Sequence, residues 1–173
     1  MQAFYFSGTD LKLKYDDNRP IKKGITHEVE GEITPCENGL HASKRLVDAL
    51  FYAPGPMLWL VELGGDVVEK EDKVAASKRT YVEGPLHIKE VLEKLIESQI
   101  NLVPKLKKEF FRNSFLGISN LISYDPLWGV GAWQLLTRDL YMSNFLDKTT
   151  KEVECIFNQH ITELVKEETG WEI

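Results

Sequence analysis

The stretch that decides the fold is Cys36 to Tyr81, CENGLHASKRLVDALFYAPGPMLWLVELGGDVVEKEDKVAASKRTY. Gly39 permits the backbone geometry from which a Leu40-His41-Ala42 strand begins. Ser43 is a natural N-cap for the helix that follows. Leu46, Val47, Ala49, Leu50, Phe51 and Ala53 then recur at helical spacing, and Pro54-Gly55-Pro56 stops the helix. Met57 to Leu63 (MLWLVEL) is nearly all apolar and too short for a helix between such breakers, so it predicts a buried strand holding one carboxylate, Glu62. Gly64-Gly65-Asp66 predicts a tight turn into Val67-Val68. Glu69 to Lys73 is a charged segment, and Ala75 to Val82 predicts a further strand carrying Lys78 and Arg79.

Outward from this stretch, Gln2 to Phe6 reads as a first strand that Ser7-Gly8-Thr9-Asp10 turns. Leu11 to Tyr15 alternates like a half-exposed strand, Asp16 to Lys23 is a polar surface loop, and Ile25 to Ile33 reads as another strand with Gly31 as a bulge or bend. Gly84-Pro85 marks a boundary, beyond which the period is helical. Ile88, Val91, Leu92, Leu95, Ile96 and Ile100 form one stripe. Pro104 breaks or kinks that helix, Lys105 to Phe115 resumes it and ends near Gly117, and a further helix starts at Asp125-Pro126 or at Ala132, presenting Trp133, Leu136, Leu140 and Phe145. In the last helix Val153, Ile156, Phe157, His160, Ile161, Leu164 and Val165 share a face, with His160 as a core residue. The expectation is an α+β protein: a β-rich half over residues 1–84 and an all-helical half over 85–173, packed as one domain.

Composition narrows the function classes. With 43% hydrophobic and 28% charged residues the 173-residue chain has an ordinary globular balance. No apolar run approaches a membrane span and no leader-like segment begins the chain, so the expectation is a cytoplasmic protein with no membrane partner. A formal charge of −6 argues against broad, non-specific nucleic-acid binding. The two cysteines lie far apart and give no disulfide framework. Cys36-x4-His41 and Cys155-x4-His160 share a spacing that matches none of the common zinc modules, and no metal is expected.

Two resemblances add to this. The segments Gly39–Ala42 (GLHA), Ala49–Pro56 (ALFYAPGP), Val61–Leu63 (VEL) and Asp72–Ser77 (DKVAAS) resemble a pattern shared by a family of phage and bacterial proteins, a pattern that brings no activity with it. More loosely, the layout is similar to the ADP-ribosyltransferase fold, with its mixed sheet. Ser7-Gly8-Thr9 stands where that fold has His-Gly-Thr, Gly39 to Ala42 stands at its Gly-aromatic strand, and Ala49 to Tyr52 at its helix end. Ser7 replaces the histidine that would hold a nicotinamide ribose, and Glu83 is the carboxylate nearest the last catalytic position. This resemblance implies NAD as a substrate.

Breaking an N-glycosidic bond develops positive charge on a ribose carbon, which asks for a carboxylate, a donor or cation, and a stacking aromatic. Glu62 or Asp72 would supply the carboxylate, His41 or Arg79 the donor or phosphate ligand, and Tyr52 or Trp59 the aromatic. Ser7, Thr9, Ser43, Lys73 and Ser77 complete the substrate-binding candidates. The expected function is ADP-ribosyl transfer or NAD cleavage in phage–bacterium conflict. The alternatives are a glycosylase excising modified bases from phage DNA and a non-catalytic phage or defence protein binding a partner through its helical half. A nucleotide or nucleic acid is the expected partner, and the sequence leaves the oligomeric state open.

Overall fold

The computed structural model describes residues 1–14, 17–100, 141–145 and 147–173. Among these residues five strands and four helices occur in the order β1 (Gln2–Ser7), β2 (Thr26–Glu28), β3 (Leu40–Ala42), α1 (Leu46–Phe51), β4 (Met57–Glu69), β5 (Val74–His87), α2 (Lys89–Ile100), α3 (Met142–Asn144) and α4 (Thr150–Thr169). The fold is α+β, with the sheet in the N-terminal half and helices at the C-terminal end. Every described strand pair is antiparallel, which corrects the expectation of a mixed sheet. The helix expectations from Pro104 through Leu140 lie outside the described residues, as do Tyr15 and Asp16 of the early strand and loop.

β4 and β5 form a long hairpin at the centre of the sheet. β1 pairs the first half of β4 (Gln2↔Glu62 to Ser7↔Met57), while β2 and β3 lie in succession along the outer edge of β5, β3 opposite Val74–Ala76 and β2 opposite Lys78–Thr80. The free edge of β1 then meets the residue after β3. Phe4 N–H donates to the Ser43 carbonyl at 2.8 Å and Ser43 N–H donates back to Phe4 at 2.9 Å. The path β1–β4–β5–β3 therefore closes on itself through the Phe4–Ser43 bridge.

Alternation along the strands sorts two cores. On the outside of the circuit, Phe4, Phe6, Leu58 and Leu60 pack against the apolar faces of α1, α2 and α4, including Leu46, Leu50, Val91, Leu95, Phe157 and Ile161. Inside it, Ala3, Trp59, Val61, Leu40, Ala42, Val74, Ala76 and Tyr81 come from all four strands and meet one another, with Leu13 and Ile21 of the 8–25 segment packed among them. The capping box of Thr149 and Glu152 starts α4, and Gly170 in the left-handed region ends it.

Several boundaries differ from the sequence reading, each for a tertiary reason. Gly64-Gly65-Asp66 is a bulge inside one continuous 13-residue strand rather than a turn, because the Ser77 hydroxyl of the partner strand takes the Asp66 N–H at 2.9 Å. Gly84-Pro85 lies within β5, joined by a cis peptide bond, so the strand runs through the expected boundary. Leu11 to Tyr15 forms no strand among its described residues: Lys12 bridges Pro20 alone, and Leu13 turns into the inner core. The Ile25–Ile33 strand shrinks to Thr26–Glu28, with Gly31 in a bend at φ 89°. Arg45, not Ser43, is the N-cap of α1, because the Ser43 backbone is already bound to Phe4.

One glycine is fixed by contact rather than by backbone angle. A Cβ on Gly55 would stand 2.8 Å from the Gly8 Cα and 3.0 Å from the Ser7 carbonyl, both main-chain atoms with no rotamer to yield. The Pro54-Gly55-Pro56 breaker thus docks against the end of β1. Gly55→Ala should lower unfolding stability by roughly 1–3 kcal/mol, as overpacking does. An unchanged urea midpoint would show that this contact is loose.

Candidate functional site

Three turns meet at one rim of the circuit. The first is the Cys36–His41 turn leading into β3; the second is the C-terminal end of α1 at Tyr52; the third is the β4–β5 connection at Glu71 to Lys73. Their meeting follows from register. Ala42 pairs Val74, which brings the end of β3 beside Lys73, the Cys36–His41 turn is tied to the β3 residue His41 through the Cys36 N–H, and α1 begins only four residues after Ala42.

The first turn is held rigidly. Asn38 donates through Nδ2 to the Glu30 and Glu32 carbonyls at 2.9 and 3.0 Å, and its backbone closes a two-way bridge with Thr34. Gly39 at φ 136° lies so close to β5 that a Cβ would meet that of Ala75 at 3.1 Å. Cys36 has φ 76°, a conformation rare for a non-glycine residue, and donates its N–H to His41 Nε2 at 3.0 Å. An accepting Nε2 carries no proton, so the ring is neutral. Burial pushes the His41 imidazole below its ordinary value, and the Lys73 and Arg79 charges push it the same way. His41 thus acts as a strut of the turn.

Around this strut stand the reactive groups. The Tyr52 hydroxyl donates to Asp72 Oδ2, and 45% of the Tyr52 residue surface is exposed. Lys73 Nζ lies 4.7 Å from the centre of the Tyr52 ring. A hydrogen bond to the exposed Cys36 side chain is the main cause holding the Lys73 ammonium above its ordinary value, helped by Tyr52, Cys36 and Asp72, while partial burial opposes it. Burial, then the Asp72 carboxylate, holds the Tyr52 phenol protonated. The arrangement combines a partly exposed aromatic ring, a carboxylate, an ammonium and a thiol.

The remaining sequence candidates lie elsewhere. Glu62 is exposed on β4 opposite Gln2 and Thr80, five residues along β5 from the Ala75 that pairs His41. Trp59 is 1% exposed and donates Nε1–H to the buried Ser7 hydroxyl at 3.0 Å. Arg79 is 2% exposed: it donates to the His41 carbonyl at 2.5 Å and to the Tyr81 hydroxyl at 2.8 and 3.2 Å, with its guanidinium 3.7 Å from the Tyr5 ring centre. Ser43 is buried at the circuit's closure, Ser77 holds the β4 bulge, and Thr9 is exposed in the turn after β1. Thus His41, Tyr52, Asp72 and Lys73 come together, while Ser7, Thr9, Ser43, Trp59, Glu62, Ser77 and Arg79 do not join them. His160 of α4 bonds the Tyr141 hydroxyl at 2.9 Å, and the described residues hold no group of three or more metal-ligating side chains. No helix among them is long and apolar enough to cross a membrane.

Two residues at this rim carry no local sequence signal as site members: Cys36, whose partner Lys73 is remote in sequence, and Asp48. Asp48 sits on α1 with its side chain 14% exposed and Arg45 Nε 3.6 Å away. Burial pushes its carboxyl up to about 6; Arg45 opposes this, while Glu154, Asp72 and Glu71 add to it. Because the folded value is raised above the ordinary 3.8, this group favours folding most below pH 4 and loses that contribution as pH rises through about 6. Asp48→Asn should therefore be more stable than the native chain at pH 7, by at most about 3 kcal/mol, and should lose that advantage below pH 4. Urea unfolding at the two pH values checks the sign; an Asp48→Asn variant less stable at pH 7 would contradict it.

The comparisons with known proteins bear on the same region. A family model described as a domain of unknown function, DUF7666, matches residues 8–94, half of the chain. The match spans the Cys36 turn, Tyr52 and the Asp72–Lys73 turn together. No curated protein and no solved structure matches the chain. The chain belongs to the DUF7666 family, and the rim of three turns lies wholly inside the part that defines its membership.

Proposed function

We propose that the chain is an enzyme acting at a nucleotide N-glycosidic bond, of the NAD-cleaving or ADP-ribosyl-transferring type, with its site at the Tyr52–Asp72–Lys73 rim. The observation that carries this reading is the Tyr52 ring: it is partly exposed, bears a carboxylate at its hydroxyl and has an ammonium over its face. A nucleotide base stacks on such a ring, Lys73 meets the pyrophosphate, and the Asp72 carboxylate faces the positive charge that develops on the ribose carbon. The resemblance of the GLHA, ALFYAPGP, VEL and DKVAAS segments to a pattern in phage and bacterial proteins supports a role in phage–bacterium conflict.

The electrostatics favour NAD over DNA as substrate. In NAD the departing ring is a pyridinium, which takes the bonding electron pair and leaves as neutral nicotinamide; no acid is required. Water or another nucleophile then bonds to the ribose carbon and releases a proton. A base excised from DNA leaves as an anion unless it is protonated, so a glycosylase gains from a general acid. His41 accepts the Cys36 N–H at Nε2 and is held neutral by burial, so it is a poor source of that proton. The formal charge of −6 also counts against a DNA duplex.

Mass spectrometry of small products tests the reading. Incubation with NAD should release nicotinamide, and Asp72→Asn should slow the release by about 100-fold or more, the scale for losing a charge-stabilising group. Tyr52→Ala should chiefly raise KM. A folded protein that releases no nicotinamide contradicts the proposal. Free base released from modified phage DNA would transfer the site to the glycosylase reading, and neither product would leave a binding role.

A further inference from the structure

His27 lies on β2 directly opposite Arg79 of β5 and is 5% exposed. The Pro20 carbonyl, 3.1 Å from Nε2, can only accept, so Nε2 carries the proton of the neutral ring. Nδ1 is then left to accept from the Tyr81 hydroxyl at 3.3 Å. The Tyr81 oxygen itself already accepts twice, from Arg79 Nε and Nη2 at 3.2 and 2.8 Å. One neutral tautomer thus satisfies every partner, whereas a second ring proton would point at an oxygen whose lone pairs are taken. It would also add a positive charge beside the Arg79 guanidinium. The partners of that guanidinium among the described residues are the Tyr81 hydroxyl, the His41 carbonyl and the rings of Tyr5 and Tyr81, none of them anionic. On the 8–25 side the charged groups facing the ring are Asp17 and Arg19, bound to each other at 2.6 and 2.7 Å; on β2 itself Glu28 is bound to Lys78 at 2.9 Å.

We propose that His27 is an acid-operated latch on the inner core: the neutral ring holds β2 and the 8–25 segment in place, and a proton taken from water at Nδ1 expels the imidazolium to solvent and lifts that cover. The parts that move are the weakly held ones. β2 is three residues long at the outer edge of β5, and the 8–25 segment forms no strand among its described residues, covering the core through Leu13 and Ile21. Burial, then the Arg19 and Arg79 charges, push the imidazole below its ordinary 6.5, against the Pro20 bond and Asp17. The unfolded or opened chain therefore takes the proton more readily. The latch is fully closed above pH 6.5 and loses its hold as pH falls below that value. It needs no chemistry at the rim, so it stands or falls apart from the proposed activity.

Amide hydrogen exchange on the full chain, corrected for the intrinsic effect of pH, tests the latch. The Leu13, Ile21 and Gly24 N–H groups donate to the Arg19, Leu11 and Tyr81 carbonyls at 2.9, 2.7 and 2.8 Å. Between pH 8 and pH 5 their protection should fall about tenfold or more, a decade for each unit by which the ring is depressed, while the β4–β5 amides keep theirs. In His27→Gln, whose side-chain amide donates and accepts without ever charging, that fall should be absent. Unchanged protection in the native chain overturns the proposal. So does a fall that persists in the variant or spreads equally over β4 and β5. Should the variant not fold, NMR titration of the native His27 ring decides: a midpoint below 6.5 that coincides with the exchange transition supports the latch, and a higher midpoint or a separate transition overturns it.

Discussion

The pair of hydrogen bonds between Phe4 and Ser43 is the constraint on which the remaining geometry depends. β3 is only three residues long and would otherwise hang from the outer edge of β5. By joining β1 to the end of β3, the pair turns an open sheet into a closed path and removes two edges at once. It also fixes the chain midway between the Cys36–His41 turn and the α1 end at Tyr52. On the opposite side of the rim, Asp72 and Lys73 are held because the very next residues, Val74 to Ala76, pair with both β3 and β4. The site residues are short-range neighbours of sheet hydrogen bonds, which is how three turns stay in register with one another.

Inside the path, polar groups are paired along a directional chain. Arg79 donates to the Tyr81 hydroxyl, which lies 3.3 Å from His27 Nδ1, while His27 Nε2 lies 3.1 Å from the Pro20 carbonyl. Burial pushes the Tyr81 phenol up to about 12 and the His27 imidazole down, so both are neutral at pH 7. The guanidinium is satisfied by neutral oxygens and by the Tyr5 face. Its contact with the His41 carbonyl carries the order of this interior to the rim. Arg79 thereby supports the rim from behind, through its bond to the His41 carbonyl.

Much of this was legible in the residues. The stripes of α2 and α4, the apolar run of β4 and the Pro-Gly-Pro stop after α1 are local signals, and burial obeyed them. The misread points are those where a distant partner decides. A Gly-Gly-Asp run is a turn in isolation and a bulge when Ser77 waits across the hairpin to take its N–H. A serine before a helix is a cap unless its backbone is already bound into a sheet. Of the candidate site, Tyr52, Asp72 and Lys73, which meet at the rim, stood out in the sequence as chemistry-bearing residues at turns against an apolar framework. Whether Trp59 and Arg79 face a cleft or an interior depends on the closure of the path, and the spacing of residues along the chain does not encode it. The same holds for Asp48, whose carboxyl is perturbed by burial and by charges from α4 and the β4–β5 turn.

The closure itself is the most direct point of test, through amide hydrogen exchange of Phe4 and Ser43 followed by NMR. If the path β1–β4–β5–β3 is closed, both amides exchange as slowly as those of the β4–β5 hairpin, opening only with global unfolding. If instead Ser43 and Phe4 exchange on the timescale of exposed loops while β4 and β5 stay protected, the sheet is open at that edge, and the three turns are not held together as described.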